Sequence, residues 1–297
     1  MALRLKSERA YIRAVHSGKP SLLMRWSIGN SSVRPGAYTT STAKDYMSAG
    51  SIASGSWTGA RSVEGNNYLS LSNTDFNIPQ RWVGLLGYKI EYGKEYGGAT
   101  SFTLGYVGQQ SGGWSYTVAG DLNGDRINGN DLIFIPKSGS DIKFAPLTVA
   151  GLGTMTEAQQ QDAFEKFISQ DKYLSKNRGR YAVRNGQFLP ILHRVDFSIV
   201  QDIYLKVKGH KNTLQVRFDI LNFGNMLSNK WGVSYRATAP ALLTYSSVNA
   251  NGEPVYKLST QKLVDGSTIL AKDTYSRNSS VFDVWTGQLG VRYTFGK

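Results

Sequence analysis

The chain has 297 residues, a formal net charge of +13, 32 glycines and 12% aromatic residues. It contains no cysteine, which excludes disulfides, thiolate metal sites and cysteine nucleophiles. No segment approaches the roughly 20 uninterrupted apolar residues of a membrane-spanning helix, and the plentiful aromatic and aliphatic residues argue against disorder. The length suits one large domain or two small ones, and the many aromatics and glycines favour β structure.

The first segment, residues 1–20, has basic residues but neither an apolar core nor a small-residue cleavage site, so it does not have the pattern of a secretory signal. We interpret this either as a cytoplasmic protein or as a chain that does not begin at the true start of its protein. Residues 1–35 form an unassigned N-terminal segment.

Several segments then alternate between apolar and polar residues with a period of two. Such alternation predicts strands with one face in an apolar medium and the other in water. The apolar positions are Trp82, Gly84, Leu86, Tyr88, Ile90 and Tyr92; Phe102, Leu104 and Tyr106; Trp114, Tyr116 and Val118; Val195, Phe197, Ile199, Ile203 and Leu205; Leu214, Val216, Phe218 and Ile220; and Trp285, Leu289, Val291, Tyr293 and Phe295.

These segments are about 10–14 residues long, whereas strands of soluble domains usually have about 5–6. Long strands with ionic residues on one face, and aromatics at the ends of the other, are typical of a transmembrane barrel. We therefore predict an all-β chain that forms an antiparallel transmembrane β-barrel segment of about eight or nine long strands, a partial barrel. The alternative is a soluble sandwich or lipocalin-like barrel, whose inward face would be the apolar one.

The opposite faces of the last two strands are expected to line a lumen. The predicted lumen-facing residues are Arg217, Asp219, Gln288 and Arg292. Asp202 and Asp219 could pair there with Arg217 or Lys206, as a charge network rather than as catalytic carboxylates.

The connections are asymmetric. Short turns are predicted at 77–79, 109–113 and 208–212, between long polar stretches at 44–66, 121–192 and 225–281. Outer-membrane barrels combine short periplasmic turns with long external loops. If Phe295 ends at the periplasmic side, the three short turns fall in the periplasm and the connection 93–98 is the one short external loop.

One helix is predicted inside the second long stretch. Thr156 and Gln159 have the spacing of a capping box, and Phe164, Phe167 and Ile168 follow at helical spacing. We expect this short amphipathic helix to pack on its own loop.

A cation site is a candidate in the turn that reads GDLNGDRINGND. Asp121, Asn123 and Asp125 stand at alternate positions, as the first ligands of a calcium loop would, and Asp131 would close the loop. Arg126 stands where the EF-hand pattern has glycine, and Asp131 falls one position early. The alternative is an Asx- and Gly-rich turn whose side chains cap the backbone. Calcium is the only cofactor that the sequence suggests.

No enzyme is predicted. The histidines are His16, His193 and His210, and His193 and Asp196 would point to opposite faces of a strand, which is no dyad. The nucleophile-elbow, P-loop and zinc-protease motifs do not occur. The basic residues are scattered without a run longer than three, so nucleic acid is not an expected partner.

Several segments together resemble the C-terminal part of TonB-dependent outer-membrane receptors of the SusC/Oar-like kind. The resemblance covers about 36–297, and the motifs occur in the family's order. The matching segments are SLSNTDFNIPQRW (70–82), GWSYTVAGDLNGDRINGNDLIFIP (113–136), FEKFISQDKYLSKNRGRYAVRNG (164–186), RVDFSIVQDIYL (194–205), LQVRFDILNFGNMLSNKWGV (214–233) and LGVRYTF (289–295).

The resemblance implies a barrel of about 22 strands with a plug domain in its lumen. This chain would supply the C-terminal part of that barrel, residues 36–297, without the plug, the TonB box or a signal peptide. It would then be a fragmentary or truncated chain. The alternating terminal strand, with Tyr293 and Phe295, implies the signal that the barrel-assembly machinery recognises by β-augmentation, although Gly296 and Lys297 extend beyond it.

The predicted function is that of the C-terminal barrel portion of a receptor for active uptake of a bulky nutrient, namely a glycan, a peptide or a metal chelate. The predicted location is the outer membrane. The expected partners are outer-membrane lipid, the barrel-assembly machinery, a surface lipoprotein lid and, through the missing N-terminal part, the TonB complex. Two alternatives stay open: a complete small outer-membrane barrel that acts as a passive pore or adhesin, and a soluble basic β-protein that binds nucleic acid or polyanions.

Overall fold

The computed structural model describes residues 22–26, 32–92, 97–110, 112–151, 153–207, 209–263 and 265–296. The structure is mostly β, as predicted, with antiparallel sheets. Within these ranges no helix is both long enough and apolar enough to span a membrane.

The largest sheet has seven strands among the described residues, and each strand pairs antiparallel with the next one along the chain. The strands are β1 (Leu22–Trp26), β2 (Ser32–Thr40), β3 (Gln80–Tyr92), β4 (Gly97–Gln109), β5 (Leu192–Val207), β6 (His210–Leu221) and β7 (Thr286–Thr294). The sheet does not close between these strands, so β1 and β7 are its two edges. The predicted boundary between residues 35 and 36 falls inside β2, while residues 1–21 and 27–31 lie outside the described ranges.

The register gives the sheet one mainly apolar and one mainly polar face, although the polar face also carries Val83 and Leu85 of β3, which are 39% and 42% exposed. Residues paired across antiparallel strands point to the same side. One continuous row is Tyr88, Phe102, Ile199, Phe218 and Leu289, and a neighbouring row on the opposite side is Gly87, Thr103, Ser198, Asp219 and Gln288. The predicted alternation in these five strands is therefore confirmed.

The apolar face is largely uncovered. The exposed fractions are 53% for Tyr88, 44% for Ile90, 70% for Leu289 and 68% for Val291. An exposed apolar face of this extent is characteristic of surfaces that bind a partner or a membrane.

Three long connections, 41–79, 110–191 and 222–285, leave the sheet from one end, because each joins a strand that arrives there to one that departs. Residues from the second and third share one hydrophobic core. We call the three connections together the loop body. The core residues include Trp114, Tyr116, Val118, Ile133, Ile135, Phe144, Phe164, Phe167, Ile168, Leu174, Leu242, Leu243, Tyr256 and Leu258.

The described residues of the loop body form short strands and three short or medium helices. The helices are α1 (Ala53–Thr58), α2 (Glu157–Gln170) and α3 (Phe223–Leu227), with 3-10 turns at Gly139–Asp141 and Val281–Asp283. One sheet has the order Lys143–Phe144, Pro254–Leu258, Ala241–Val248 and Thr117–Ala119. The two-stranded pairs are Lys44–Asp45 with Ser72–Asn73, Gly113–Trp114 with Gln187–Phe188, Phe134–Ile135 with Arg180–Tyr181, Leu147–Val149 with Gly153–Met155, Tyr235–Ala237 with Tyr275–Arg277, and Thr260–Lys262 with Thr268–Leu270.

The predicted strand at 113–119 is not part of the large sheet, in which seven strands lie within the described ranges. It forms two short strands inside the loop body, where Tyr116 is 1% exposed and its neighbours Ser115 and Thr117 are 3% and 5% exposed. Both of its sides are thus buried in protein. Ser115 and Thr117 alternate with apolar residues, so the sequence pattern is that of a strand with one face in water.

The assignment of 113–119 to the large sheet also made the predicted positions of the short connections wrong. The strand ends at Tyr92 and Gly97, and those at Val207 and His210, lie at one end of the sheet. Residues 77–79, 109–110 and 112–113 lie at the other end, with the long connections. The expected placement of 93–98 at the end opposite to 77–79 and 109–113 depended on counting 113–119 as a strand that crosses the sheet. Because 113–119 does not cross it, every strand before this segment runs in the direction opposite to the predicted one.

The predicted helix is confirmed as α2. Thr156 accepts from the backbone N–H of Gln159, and the Gln159 side chain accepts from the backbone N–H of Thr156, so the capping box is complete. Phe164, Phe167 and Ile168 are buried in the loop-body core, which places the helix on its own loop, as expected.

Candidate functional site

The predicted cation loop is closed by its first carboxylate. Asp121 Oδ1 accepts from the backbone N–H groups of Gly124 at 2.8 Å and Asp125 at 3.1 Å. Asp121 Oδ2 accepts from the N–H of Arg126 at 2.9 Å. Arg126 has φ 68°, the left-handed conformation for which the calcium-loop pattern uses glycine.

The other oxygens of the loop also engage hydrogen-bond donors of the chain. Asn123 Oδ1 accepts from the N–H of Asp125 at 2.9 Å, and Asp125 Oδ1 accepts from the N–H of Ile127 at 2.8 Å. The Asn130 amide donates to Asp125 Oδ2 at 3.1 Å. These bonds form the Asx turns of the alternative interpretation.

Asp131 differs from the other three predicted ligands because it is 1% exposed. Its Oδ2 accepts from the N–H of Leu122 at 2.6 Å, while its Oδ1 is buried without a hydrogen-bond partner. Burial raises the pKa of Asp131, and the nearby charges of Asp125 and Asp121 add to the effect. Across the described ranges, His, Cys, Asp and Glu nowhere gather in a group of three that could hold a metal ion. A calcium ion in this loop stays a prediction.

Replacing Asp121 by alanine is expected to open this turn, because three backbone N–H groups lose their acceptor. We expect trypsin to cleave the Asp121→Ala variant after Arg126 several-fold faster than the parent chain, as measured by mass spectrometry of the fragments. Asp265→Ala is the control, since that carboxylate caps a different turn through the N–H of Ser267. Equal cleavage in all three chains would contradict the role of Asp121, and protection of the parent chain by added Ca²⁺ would show that a cation binds.

The four predicted lumen residues share the polar face of the sheet. Asp219 and Gln288 are direct cross-strand partners, and Arg217 Nε donates to both carboxylate oxygens of Asp219 at 2.8 and 2.6 Å. Arg292 stands on the same side, four residues after Gln288. That this side lines a lumen stays a prediction.

His193 and Asp196 lie on opposite faces, as predicted from their spacing. The Tyr106 hydroxyl and His193 Nδ1 are 2.7 Å apart on the apolar face, while Asp196 accepts from the backbone N–H of Asn222 at 2.7 Å. Each residue therefore has a structural partner of its own.

The proposed assembly signal lies on the edge strand β7. Tyr293 and Phe295 share one side, with ring centroids 4.7 Å apart, and Phe295 is 79% exposed. After β7 the N–H of Gly296 donates to the side-chain oxygen Oδ1 of Asn212 at 3.1 Å. Recognition by an assembly machinery stays a prediction.

The sequence interpretation missed the buried carboxylate of Asp171, which is 0% exposed. Its Oδ2 accepts from the hydroxyls of Tyr116 at 2.6 Å and Thr274 at 2.7 Å, and from the Gln187 amide at 3.0 Å. Its Oδ1 accepts from the N–H groups of Tyr173 and Leu174, both at 2.8 Å. Three side-chain donors from other segments and two local N–H groups thus converge on one carboxylate. Burial next to this carboxylate raises the pKa of Tyr116.

A second missed feature joins the first long connection to the second. The Arg184 side chain donates to Asp45 Oδ1 and to the Asp45 carbonyl, both at 2.6 Å. The Asn185 and Asn73 side-chain amides each donate to the other residue's carbonyl at 2.9 Å. In the sequence, only its position directly after α2 distinguishes Asp171. No pattern in the sequence indicates Arg184 or Asn185.

The stability of the loop body is expected to fall above about pH 10. Burial raises the pKa of Tyr256 to about 12, whereas an unfolded tyrosine titrates near 10. The unfolded chain therefore releases the proton first, so the stability from this residue is complete below pH 10 and is lost as the pH rises through 12. Urea unfolding at pH 8 and pH 11 should show a smaller loss for Tyr256→Phe than for the parent chain; equal losses would contradict this.

Comparison with known proteins gives no match to this chain among family models, curated proteins or solved structures. The functional interpretation therefore rests on the two faces of the sheet, on the placement of the long connections and on the segments that carry the resemblance. The geometry defines a β-sheet with a loop body at one end.

Proposed function

We propose that the chain is the C-terminal barrel part of a TonB-dependent outer-membrane receptor of the SusC/Oar-like kind, which takes up a bulky nutrient. The observation that carries this proposal is the pair of unlike faces, apolar and exposed on one side and polar on the other. In a transmembrane barrel the apolar face meets lipid and the polar face lines the lumen. Strand pairing satisfies the backbone polar groups, which lipid cannot do.

Aromatic rings at both ends of the apolar face support a membrane position. Trp82 and Tyr92 lie on this face of β3, about 33 Å apart along the strand at roughly 3.3 Å per residue. With a strand tilt of about 40°, this corresponds to about 25 Å along the membrane normal, the height of the apolar band in outer-membrane barrels. The rings near the long connections are Tyr38, Trp82 and Tyr106, and those near the short links are Tyr92, Tyr293 and Phe295.

The number of strands favours a larger barrel. Since seven strands alternate in direction, β1 and β7 run the same way. An antiparallel barrel needs neighbours of opposite direction at every position, so the seven described strands cannot close it among themselves. An odd number of further strands is required, and the rest of a receptor barrel would supply them.

The loop body would lie at the external mouth of the barrel, where ligand or a lipoprotein lid would contact it. Next to Asp171 it has a cavity of about 650 Å³ that reaches Gln110, the residue after β4. Amides and tyrosines dominate its wall and can hydrogen-bond a sugar or a peptide equally well. The wall includes Gln110, Gln170, Gln187, Tyr173, Tyr235 and Tyr275.

Two further partners follow from the same proposal. The edge strand β7 offers its free side to the barrel-assembly machinery by β-augmentation. The TonB complex would act on the receptor's N-terminal part and not on residues 22–296. The calcium loop would lie outside the membrane in this arrangement.

Membrane fractionation tests the first half of the proposal. We expect the full chain to remain with membranes after washing with urea and to be released by detergent. Recovery in the soluble fraction without detergent would contradict every membrane function. The reading frame upstream of Met1 tests the second half: a plug domain in frame supports the receptor, whereas a signal peptide directly before Met1 indicates the complete small barrel instead.

A further inference from the structure

The short helix α3 lies over the apolar face of the large sheet. It follows β6 directly, and the ring of its first residue, Phe223, is 5.5 Å from the ring of Phe197, measured between centroids. Phe197 belongs to the apolar face, because it pairs with Leu104 and Ile220. The helix therefore covers this face at the end where the long connections begin.

Four large apolar side chains at this place remain exposed. We call them the α3 patch: Met226, Leu227, Trp231 and Trp285, with exposed fractions of 40%, 61%, 58% and 43%. Trp285 directly precedes β7, and its position alternates with Gly287 and Leu289 on the apolar side. The patch is thus a continuation of the apolar face beyond the ends of the strands.

Hydrogen bonds hold the patch in place. The Asn225 amide donates to the carbonyl of Trp231 at 3.0 Å and accepts from the N–H of Trp285 at 3.3 Å. Asn222, which is 4% exposed, donates to the carbonyl of Asp283 at 2.9 Å. These hydrogen bonds fix the backbone that carries the exposed rings of Trp231 and Trp285.

The exposed charge on the segment that carries α3 is basic, whereas Asp283, which lies beside the patch, is 5% exposed and has its carboxylate 3.6 Å from Arg194. Residues 220–252 contain no aspartate or glutamate, while Lys230 and Arg236 are basic and exposed. A tryptophan beside a lysine suits the membrane interface, because the indole sits at headgroup level and the ammonium group reaches anionic headgroups. A protein partner would more often meet such a basic patch with acidic residues of its own.

We propose that the α3 patch is an interfacial anchor that binds the anionic headgroup region of the outer leaflet. The rings of Trp231 and Trp285 lie at the boundary between headgroups and acyl chains, and Lys230 contacts headgroup phosphates. This anchor rests on the proposed membrane function, and it fixes the depth of the sheet and holds the loop body above the surface.

Single-tryptophan variants test the anchor, since the chain has 6 tryptophans that can be replaced by phenylalanine until one is left. Each variant is folded into vesicles of phosphatidylcholine with phosphatidylglycerol that carry nitroxide-labelled lipid, with the label either at headgroup level or deep in the acyl chains. The Trp231 variant reports the patch, and the Trp82 variant reports the apolar face of the sheet. The Trp114 variant is the control, since this ring is 9% exposed within the loop-body core.

We expect the headgroup label to quench Trp231 more than the deep label does, and neither label to quench Trp114. Quenching of Trp82 without quenching of Trp231 would overturn the anchor and leave the membrane function intact. Absence of quenching for both Trp82 and Trp231 would overturn the membrane function itself. Quenching of Trp231 only by acrylamide in the water phase would assign the patch to water or to a protein partner, and would likewise overturn the anchor.

Discussion

Replacing Asp171 by alanine is expected to destabilise the loop body by about 3–5 kcal/mol, because the change leaves buried donors without their shared acceptor. The Tyr116 hydroxyl suffers most, since it is 1% exposed and has Asp171 as its acceptor at 2.6 Å. Thr274 loses the same acceptor, which weakens the link between the second and third connections.

Urea unfolding followed by Trp114 fluorescence measures this effect, because the Trp114 ring lies 4.5 Å from that of Tyr116. Asp162→Ala is the matched control on α2: this carboxylate is 64% exposed and pairs with Lys166, so its loss should cost at most about 1 kcal/mol. Asp171→Asn keeps the volume and separates the loss of the carboxylate from the creation of a cavity. Similar unfolding free energies for Asp171→Ala and Asp162→Ala would contradict the central role of Asp171.

Placing a lysine on the apolar face is expected to destabilise the sheet in lipid by about 2–4 kcal/mol near the bilayer midplane. Leu104 is the position of choice, because its row lies midway between the aromatic rings at the two ends. Its neighbour Thr103 lies on the polar face of the same strand, so Thr103→Lys keeps the added charge in water.

The measurement is reversible urea unfolding of both variants in phospholipid vesicles. Thr103→Lys should stay within about 0.5 kcal/mol of the parent chain, because its charge does not enter the apolar face. An equal cost at both positions would contradict the assignment of the two faces.

Strands β3 to β7 of the large sheet were predictable because the two sides of such a strand have different surroundings, whereas β1 and β2 were not predicted. In β6, for example, Val216 and Phe218 alternate with Gln215 and Arg217, and this period of two survives in the register. Helix α2 was predictable from its capping box, which depends only on residues three apart.

The segment at 113–119 shows where this reasoning fails. Alternation reports a difference between two sides, but it does not say whether the polar side is wet. In this segment Ser115 and Thr117 are small enough to be buried, at 3% and 5% exposed, so a strand within protein has the pattern of a strand at a lipid surface. That one misassignment also reversed the expected ends of the short connections.

The contacts that organise the loop body could not be read from the sequence. Tyr116 and Asp171 are 55 positions apart, Thr274 and Asp171 are 103 apart, and Asp45 and Arg184 are 139 apart. The residues of each pair are brought together by the pairing of the sheet strands, which places the three connections side by side. A pattern within a short stretch of sequence therefore cannot specify such pairs. The calcium-like loop is the opposite case: its spacing was evident, and the structure uses the same oxygens to cap backbone N–H groups.

The central claim, that one face of the sheet meets lipid and the other meets water, can be measured directly because the chain has no native cysteine. Single cysteines along β4, from Ser101 to Tyr106, are spin-labelled in vesicles, and their collisions with oxygen and with a water-soluble nickel chelate are compared. We predict a period of two, with oxygen favoured at positions 102, 104 and 106 and nickel favoured at positions 101, 103 and 105. Nickel access at every position, or access of neither reagent at positions 102 and 104, would contradict a lipid-facing sheet.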